Sequence, residues 1–160
     1  MDSVYIETTV IGNIAGRLHP ESSIADRQII TRKWWATAPE HYQLFISQIT
    51  VDECSDGDAT AANERLTLLT DIRLLDPSEQ AERLAELFVA RLAVPATEPR
   101  DDSHIAIAAV NRIQFIVTWN FKHILNPHLQ IKFANPCREA GFDLPVICTP
   151  QQLLETGNDS

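Results

Sequence analysis

Two hydrophobic rhythms alternate along this chain, one of period two or short apolar runs, the other of helical spacing. Val4 to Val10 is dominated by β-branched and aromatic residues and precedes a Gly12-Asn13 turn, which predicts a strand. Ser22 to Thr37 predicts a helix, with Ser22 or Ser23 as N-cap and Pro39 just beyond its end. Ile24, Ile29, Ile30, Trp34 and Trp35 would form its buried stripe. Tyr42 to Ile46 is a second apolar strand. Helical spacing begins near Thr50, breaks at Asp56-Gly57 and resumes from Ala59 to Leu69. Ile72 to Leu75 predicts a third strand, and Ser78 to Leu92 a helix opened by Ser78 and Glu79. A connection from Ala93 to Arg100 contains Pro95 and Pro99. Asp102 then opens an almost wholly apolar helix, followed by a strand from Phe115 to Thr118 and a helical region from Asn126 to Ala140. Gly141 is its candidate C-terminal cap. Val146 to Cys148 is a last short strand, and Thr149-Pro-Gln-Gln starts a helix with proline in first position.

Five strands alternating with helices, with no Asn-Gly hairpin between neighbours, predict an α/β protein. The expected architecture is a three-layer α/β/α sandwich around a mostly parallel sheet of about five strands. At 160 residues, with no repeat or long linker, the chain reads as one domain over residues 1–155 and a frayed tail over 156–160. No apolar run approaches the roughly 20 residues of a membrane span, and the strand-like start predicts no signal peptide. Cys54, Cys137 and Cys148 are odd in number and form no C-x-x-C pair, so neither a disulfide framework nor a zinc site is expected. Reduced thiols in a cytoplasmic protein are the expectation. Thirteen basic against 22 acidic residues give a formal charge of −9, which counts against tight non-specific nucleic-acid binding by the free chain.

Part of that acidity has a chemical reading. In a parallel sheet, residues at the carboxyl ends of the strands gather along one edge. Glu7 would close the first strand, Asp52 and Glu53 follow the second, Asp102 precedes the fourth and Asn120 ends it. Close carboxylates repel unless a cation neutralises them, and hard oxygen ligands suit Mg²⁺ or Mn²⁺. Such an ion acidifies water and offsets charge on a phosphoryl oxygen, so phosphodiester hydrolysis is the expected chemistry. Helix capping by Asp102 is compatible with that role. His123 and His128 lack the H-E-x-x-H pattern of zinc hydrolases. Trp34 and Trp35 read as core or interface residues.

Tyr5-Ile-Glu-Thr-Thr-Val10, Ser47-Gln-Ile-Thr-Val-Asp-Glu53, Asp102-Ser-His-Ile-Ala-Ile-Ala-Ala109 and Val117-Thr-Trp-Asn120 occur in an order and spacing that resembles the PIN-domain nucleases. Within them the chain more closely resembles the VapC-like toxins of type II toxin–antitoxin systems, one branch of which has an ending similar to Pro145-Val-Ile-Cys-Thr-Pro150. The resemblance implies an endoribonuclease whose acidic pocket holds Mg²⁺ or Mn²⁺ through Glu7, Glu53 and Asp102. Asn120 would orient a water or outer ligand, and the hydroxyls of Thr8 and Thr118 would steady ligands. Arg17, Arg100 and Lys122 are candidates for RNA phosphate contacts. A small antitoxin protein is the implied partner, and a homodimer through apolar helix faces is compatible with the pattern. Glu7 and Asn120 stand where that family commonly has aspartates. The alternative is therefore a PIN-fold binding or regulatory protein with weakened hydrolysis.

Overall fold

The computed structural model describes residues 1–92 and 99–157. Its strands are β1 (Asp2–Ile6), β2 (Tyr42–Ser47), β3 (Arg73–Leu75), β4 (Phe115–Val117) and β5 (Val146–Cys148). Between and after them run α1 (Thr8–Gly12), α2 (Ser22–His41), α3 (Gln48–Cys54), α4 (Ala59–Leu68), α5 (Glu79–Leu92), α6 (Pro99–Val110), α7 (Pro127–Glu139) and α8 (Pro150–Gly157). All four strand pairings are parallel, in the order β3-β2-β1-β4-β5.

A parallel sheet covered on both faces needs apolar side chains on both. Successive residues of each strand supply them to opposite layers. Val4, Ile6, Ile46, Val117 and Cys148 pack with Trp34 and Ala38 of α2, Cys54 of α3 and Leu153 of α8. Tyr5, Phe45, Leu75 and Ile116 pack on the other face with Leu84 and Phe88 of α5, residues 105–109 of α6 and Phe133 of α7. Phe88 and Phe133 meet edge to face with centroids 4.9 Å apart. This is the three-layer sandwich that the sequence predicts. All three cysteines are free and buried, and burial pushes their thiols up to about 11 or 12, which makes them poor nucleophiles. Among the described residues, no helix is long and apolar enough to cross a membrane.

Several boundaries differ from the sequence expectation. The first strand stops at Ile6 rather than Val10. Glu7 stays extended, but its side chain accepts the Thr9 N–H and turns the chain into α1, overriding the β-propensity of Thr8, Thr9 and Val10. Helix α2 continues past Pro39 to His41, because Trp34 and Ala38, each 1% exposed, hold its last turns against the sheet. Helix α6 begins at Pro99, three residues before Asp102. A proline in first position has no N–H to leave unpaired and a φ already suited to the helix. Asp102 therefore lies in the first turn instead of capping it. Strand β4 ends at Val117, so Asn120 lies in the loop beyond. Residues 93–98 of the expected connection lie outside the described residues. At the other end α8 carries the fold to Gly157, past the start of the expected tail, and residues 158–160 also lie outside them.

Candidate metal centre at the switch point of the sheet

Strand β1 lies in the middle of the sheet, with β2 and β3 to one side and β4 and β5 to the other. The connections leave β1 and β4 in opposite directions, opening a crevice beyond their carboxyl ends. Glu7, directly after β1, is 3% exposed there. Its carboxylate accepts the Thr9 N–H at 3.2 Å, the Thr9 hydroxyl at 2.5 Å and the Thr118 hydroxyl at 2.5 Å. Burial pushes this carboxyl above the usual range, against the opposing effects of His104 and the threonine hydrogen bonds.

Glu53 arrives from α3, because Ser47 ends β2 in the same crevice and the helix starts at once. The Thr8 hydroxyl donates to Glu53 Oε1 at 2.8 Å, and His104 Nε2 lies 2.5 Å from the same oxygen. Burial pushes the Glu53 carboxyl up, but His104, Thr8 and Arg100 together outweigh it and hold the group below the usual range. His104 is fully buried on α6, and its Nδ1 is 2.5 Å from the Tyr5 hydroxyl. Tyr5 Oη lies a further 2.6 Å from Ser47 Oγ. Burial raises the phenol well above its ordinary range, so it stays protonated. With the phenol donating to Nδ1, the imidazole has its N–H at Nε2 to give to Glu53, and an ionised carboxylate can only accept. Ser47, Tyr5, His104 and Glu53 thus form one chain of hydrogen bonds, buried except at the half-buried Glu53.

A second group lies at the start of α6. Asp101 Oδ2 is 3.0 Å from His123 Nδ1, and the Asn120 side chain also bonds this carboxylate. Asn120 Oδ1 in turn accepts the His123 N–H at 3.0 Å. Burial raises the Asp101 carboxyl above its usual range, against His104, His123 and Asn120. Asp102 is 1% exposed, and among the described residues neither of its carboxylate oxygens has a hydrogen-bond partner. Burial, reinforced by the charge of Asp101, pushes its carboxyl up to about 6. Of the candidate RNA contacts, Arg100 pairs with Asp56 at 3.2 Å, and Arg17 and Lys122 are exposed.

No family model and no curated protein matches the sequence. Among solved structures, the chain is similar to FitAcB from Neisseria gonorrhoeae, with a TM-score of 0.51 and 14% identity. The likeness covers 92% of this chain and 97% of that one. The chain has a PIN-like fold.

Within this PIN-like fold the structure brings Glu7, Glu53 and His104 together. Each offers one ligand atom, and these atoms all lie within 4.8 Å of one another. Both carboxylates are anchored by threonine hydroxyls, Glu7 by Thr9 and Thr118 and Glu53 by Thr8. Glu53 Oε2 accepts no hydrogen bond among the described residues, so it keeps a free face. The oxygen donors fit Mg²⁺ or Mn²⁺. The imidazole is committed to Glu53 and Tyr5, which makes it an orienting group for a ligand. Asp102 stands outside the three-residue cluster, and its unpartnered buried oxygens are what a cation would satisfy. Asn120 is engaged with Asp101 and His123 instead of the cluster.

Sequence reasoning missed Tyr5, Ser47, His104 and Asp101. The first three come one from each of the first three motifs quoted above. The signal was present in the polar positions of those motifs, but the contacts span 42 to 99 residues.

Proposed function

We propose that this protein is a metal-dependent endoribonuclease of the PIN type, the toxin of a type II toxin–antitoxin pair. The observation that carries the reading is the buried Glu7–Glu53–His104 cluster at the switch point, with the orphaned Asp102 carboxylate on the neighbouring helix turn. Bound Mg²⁺ or Mn²⁺ would supply Lewis acidity toward a phosphate oxygen and a more acidic water. Glu7, Glu53 and Asp102 would hold the ion. Thr8 and Thr118 fix the two glutamates in place, and His104 orients Glu53. Through the Thr9 and Thr118 hydroxyls the Glu7 carboxylate meets both α1 and the loop after β4. Glu7 is thereby tied to both sides of the crevice.

Purified protein is expected to cleave single-stranded RNA with Mn²⁺ and to lose that activity in EDTA. Equal cleavage in EDTA would sink the metal reading. The toxin assignment rests on the sequence resemblance to VapC-like proteins, supported by the full-length fold likeness. It implies a small antitoxin that covers the acidic crevice with a basic side chain, and co-expression with the product of an adjacent short reading frame tests it. Engagement of Asn120 by Asp101 favours the second reading, a PIN-like binding protein with weakened hydrolysis. Absence of both Mn²⁺ binding and cleavage would select that reading.

His104→Leu keeps the bulk of the side chain and removes its hydrogen bonds. Mn²⁺ affinity is expected to fall about 10–100-fold, as on loss of an outer partner to a metal ligand. Loss of the buried hydrogen bonds from His104 to Tyr5 and Glu53 should cost about 1–3 kcal/mol of stability, although Tyr5 keeps Ser47 as a partner. Titration calorimetry and thermal melting read the two effects separately. An unchanged affinity in the folded variant would show that His104 does not position Glu53.

A further inference from the structure

Beside the crevice, the loop after β4 carries an aromatic and cationic corner that the acid cluster does not use. Phe121 is 51% exposed. Its ring stands 6.1 Å from that of Trp119, and the Arg27 guanidinium lies 5.1 Å from the Trp119 ring centre and 5.3 Å from that of Phe121. We propose that Phe121, backed by Arg27, is a stacking platform for an unpaired nucleobase of the RNA, beside the acid cluster. This rests on the ribonuclease reading and names the form of RNA it takes.

A singly exposed phenylalanine needs no explanation by itself. Three further observations give this one a ligand. The loop is held rigidly: the Trp119 indole N–H donates to Thr31 Oγ1 at 2.8 Å, and the Ile124 and Leu125 amides both bond to Asn120 O. It is wired to the acid cluster, because the Thr9 hydroxyl that donates to Glu7 also accepts the Trp119 N–H at 2.9 Å. Finally, neither Arg27 nor neighbouring Lys122 pairs with a carboxylate among the described residues, although the chain has a formal charge of −9. Unpaired cations next to an exposed ring match a single strand, which offers phosphates and splayed bases together. They oppose a basic protein segment, and the closed stack of a duplex offers no free base face to Phe121.

The test uses the full chain in EDTA, so that binding is read without cleavage, with fluorescein-labelled single-stranded and duplex RNA of equal length. Anisotropy should show single-strand binding weakened about tenfold by Phe121→Ala, restored by Phe121→Trp and weakened by Arg27→Ala. Duplex binding should be weaker and insensitive to Phe121. Thermal melts should match wild type, since the ring is exposed. Unchanged single-strand affinity in Phe121→Ala overturns the proposal, and this is also the result if the corner serves a protein partner. Equal losses for single strand and duplex overturn it as well. The two readings fail separately. Phe121-dependent binding without cleavage in Mn²⁺ removes the nuclease and keeps the platform. Cleavage with an unaltered KM in Phe121→Ala does the reverse.

Discussion

Glu7→Gln is expected to lower Mn²⁺-dependent RNA cleavage by on the order of 10³-fold while leaving the fold intact. The loss should exceed the 10–100-fold typical of an outer partner, because Glu7 is a proposed direct ligand. Glutamine is nearly isosteric and keeps a carbonyl for the Thr9 and Thr118 hydroxyls on Oε1. Its NH2 cannot accept the Thr9 N–H that Oε2 now caps, so the start of α1 is weakened and not abolished. What disappears is a negative charge at a site 3% exposed, where little water competes with a cation. The metal-free variant should stay close to wild type in stability, since the lost cap, worth about 1 kcal/mol, is offset by removal of a carboxylate whose ionisation burial already opposes. Cleavage rates at saturating Mn²⁺, with calorimetric Mn²⁺ titration of the same samples, provide the check. Full activity in Glu7→Gln would remove Glu7 from the centre. Loss of activity with loss of fold would show that the carboxylate serves chiefly as a helix cap.

Asp102→Asn should stabilise the metal-free protein at pH 7.5. The Asp102 carboxyl ionises near 6 in the folded chain, against about 3.9 for an unperturbed aspartate. The folded state therefore holds this proton more tightly than the unfolded chain. Stability from the group is fully present below about pH 3.9 and is lost as pH rises through about 6. At pH 7.5 the ionised, unpartnered carboxylate imposes its full penalty, on the order of 1–3 kcal/mol. Removing it should raise Tm by roughly 5 °C. The gain should shrink at pH 5 and vanish near pH 4. Saturating Mn²⁺ should reverse the order, stabilising the wild type by binding the native state and the variant much less. Melting curves at three pH values, with and without Mn²⁺, decide it. A variant destabilised equally at every pH would mean that Asp102 has a structural partner and is not a poised ligand.

Most of the sheet was legible in the sequence because buried parallel strands are short apolar runs bounded by polar residues. Val146 to Cys148 matches residue for residue, and the layers follow from the alternation of Val4, Tyr5 and Ile6. Helix starts were less legible. Thr8, Thr9 and Val10 favour a strand by propensity, and only the Glu7 side chain, by capping, decides otherwise. Pro99 likewise moved the start of α6 upstream. In the candidate site, Glu7 and Glu53 could be read as acids on one edge of the sheet, since topology alone places them there. His104 could not. A histidine in an apolar helix has the appearance of a core residue until its two nitrogens are seen meeting Tyr5 and Glu53. The engagement of Asn120 by Asp101 was also hidden, because it depends on the first turn of α6 and not on the strand.

The crevice joins parts of the chain that are far apart. Thr118 reaches back 111 residues to Glu7, and His104 reaches back 99 to Tyr5. Contacts of such separation form late, once much of the chain entropy has been lost. During synthesis, Glu53 cannot acquire His104 until α6 has emerged, and Glu7 cannot acquire Thr118 until β4 has emerged and paired with β1. An incomplete or partly unfolded chain therefore has no assembled centre, and activity should disappear at the same denaturant midpoint as the sheet itself.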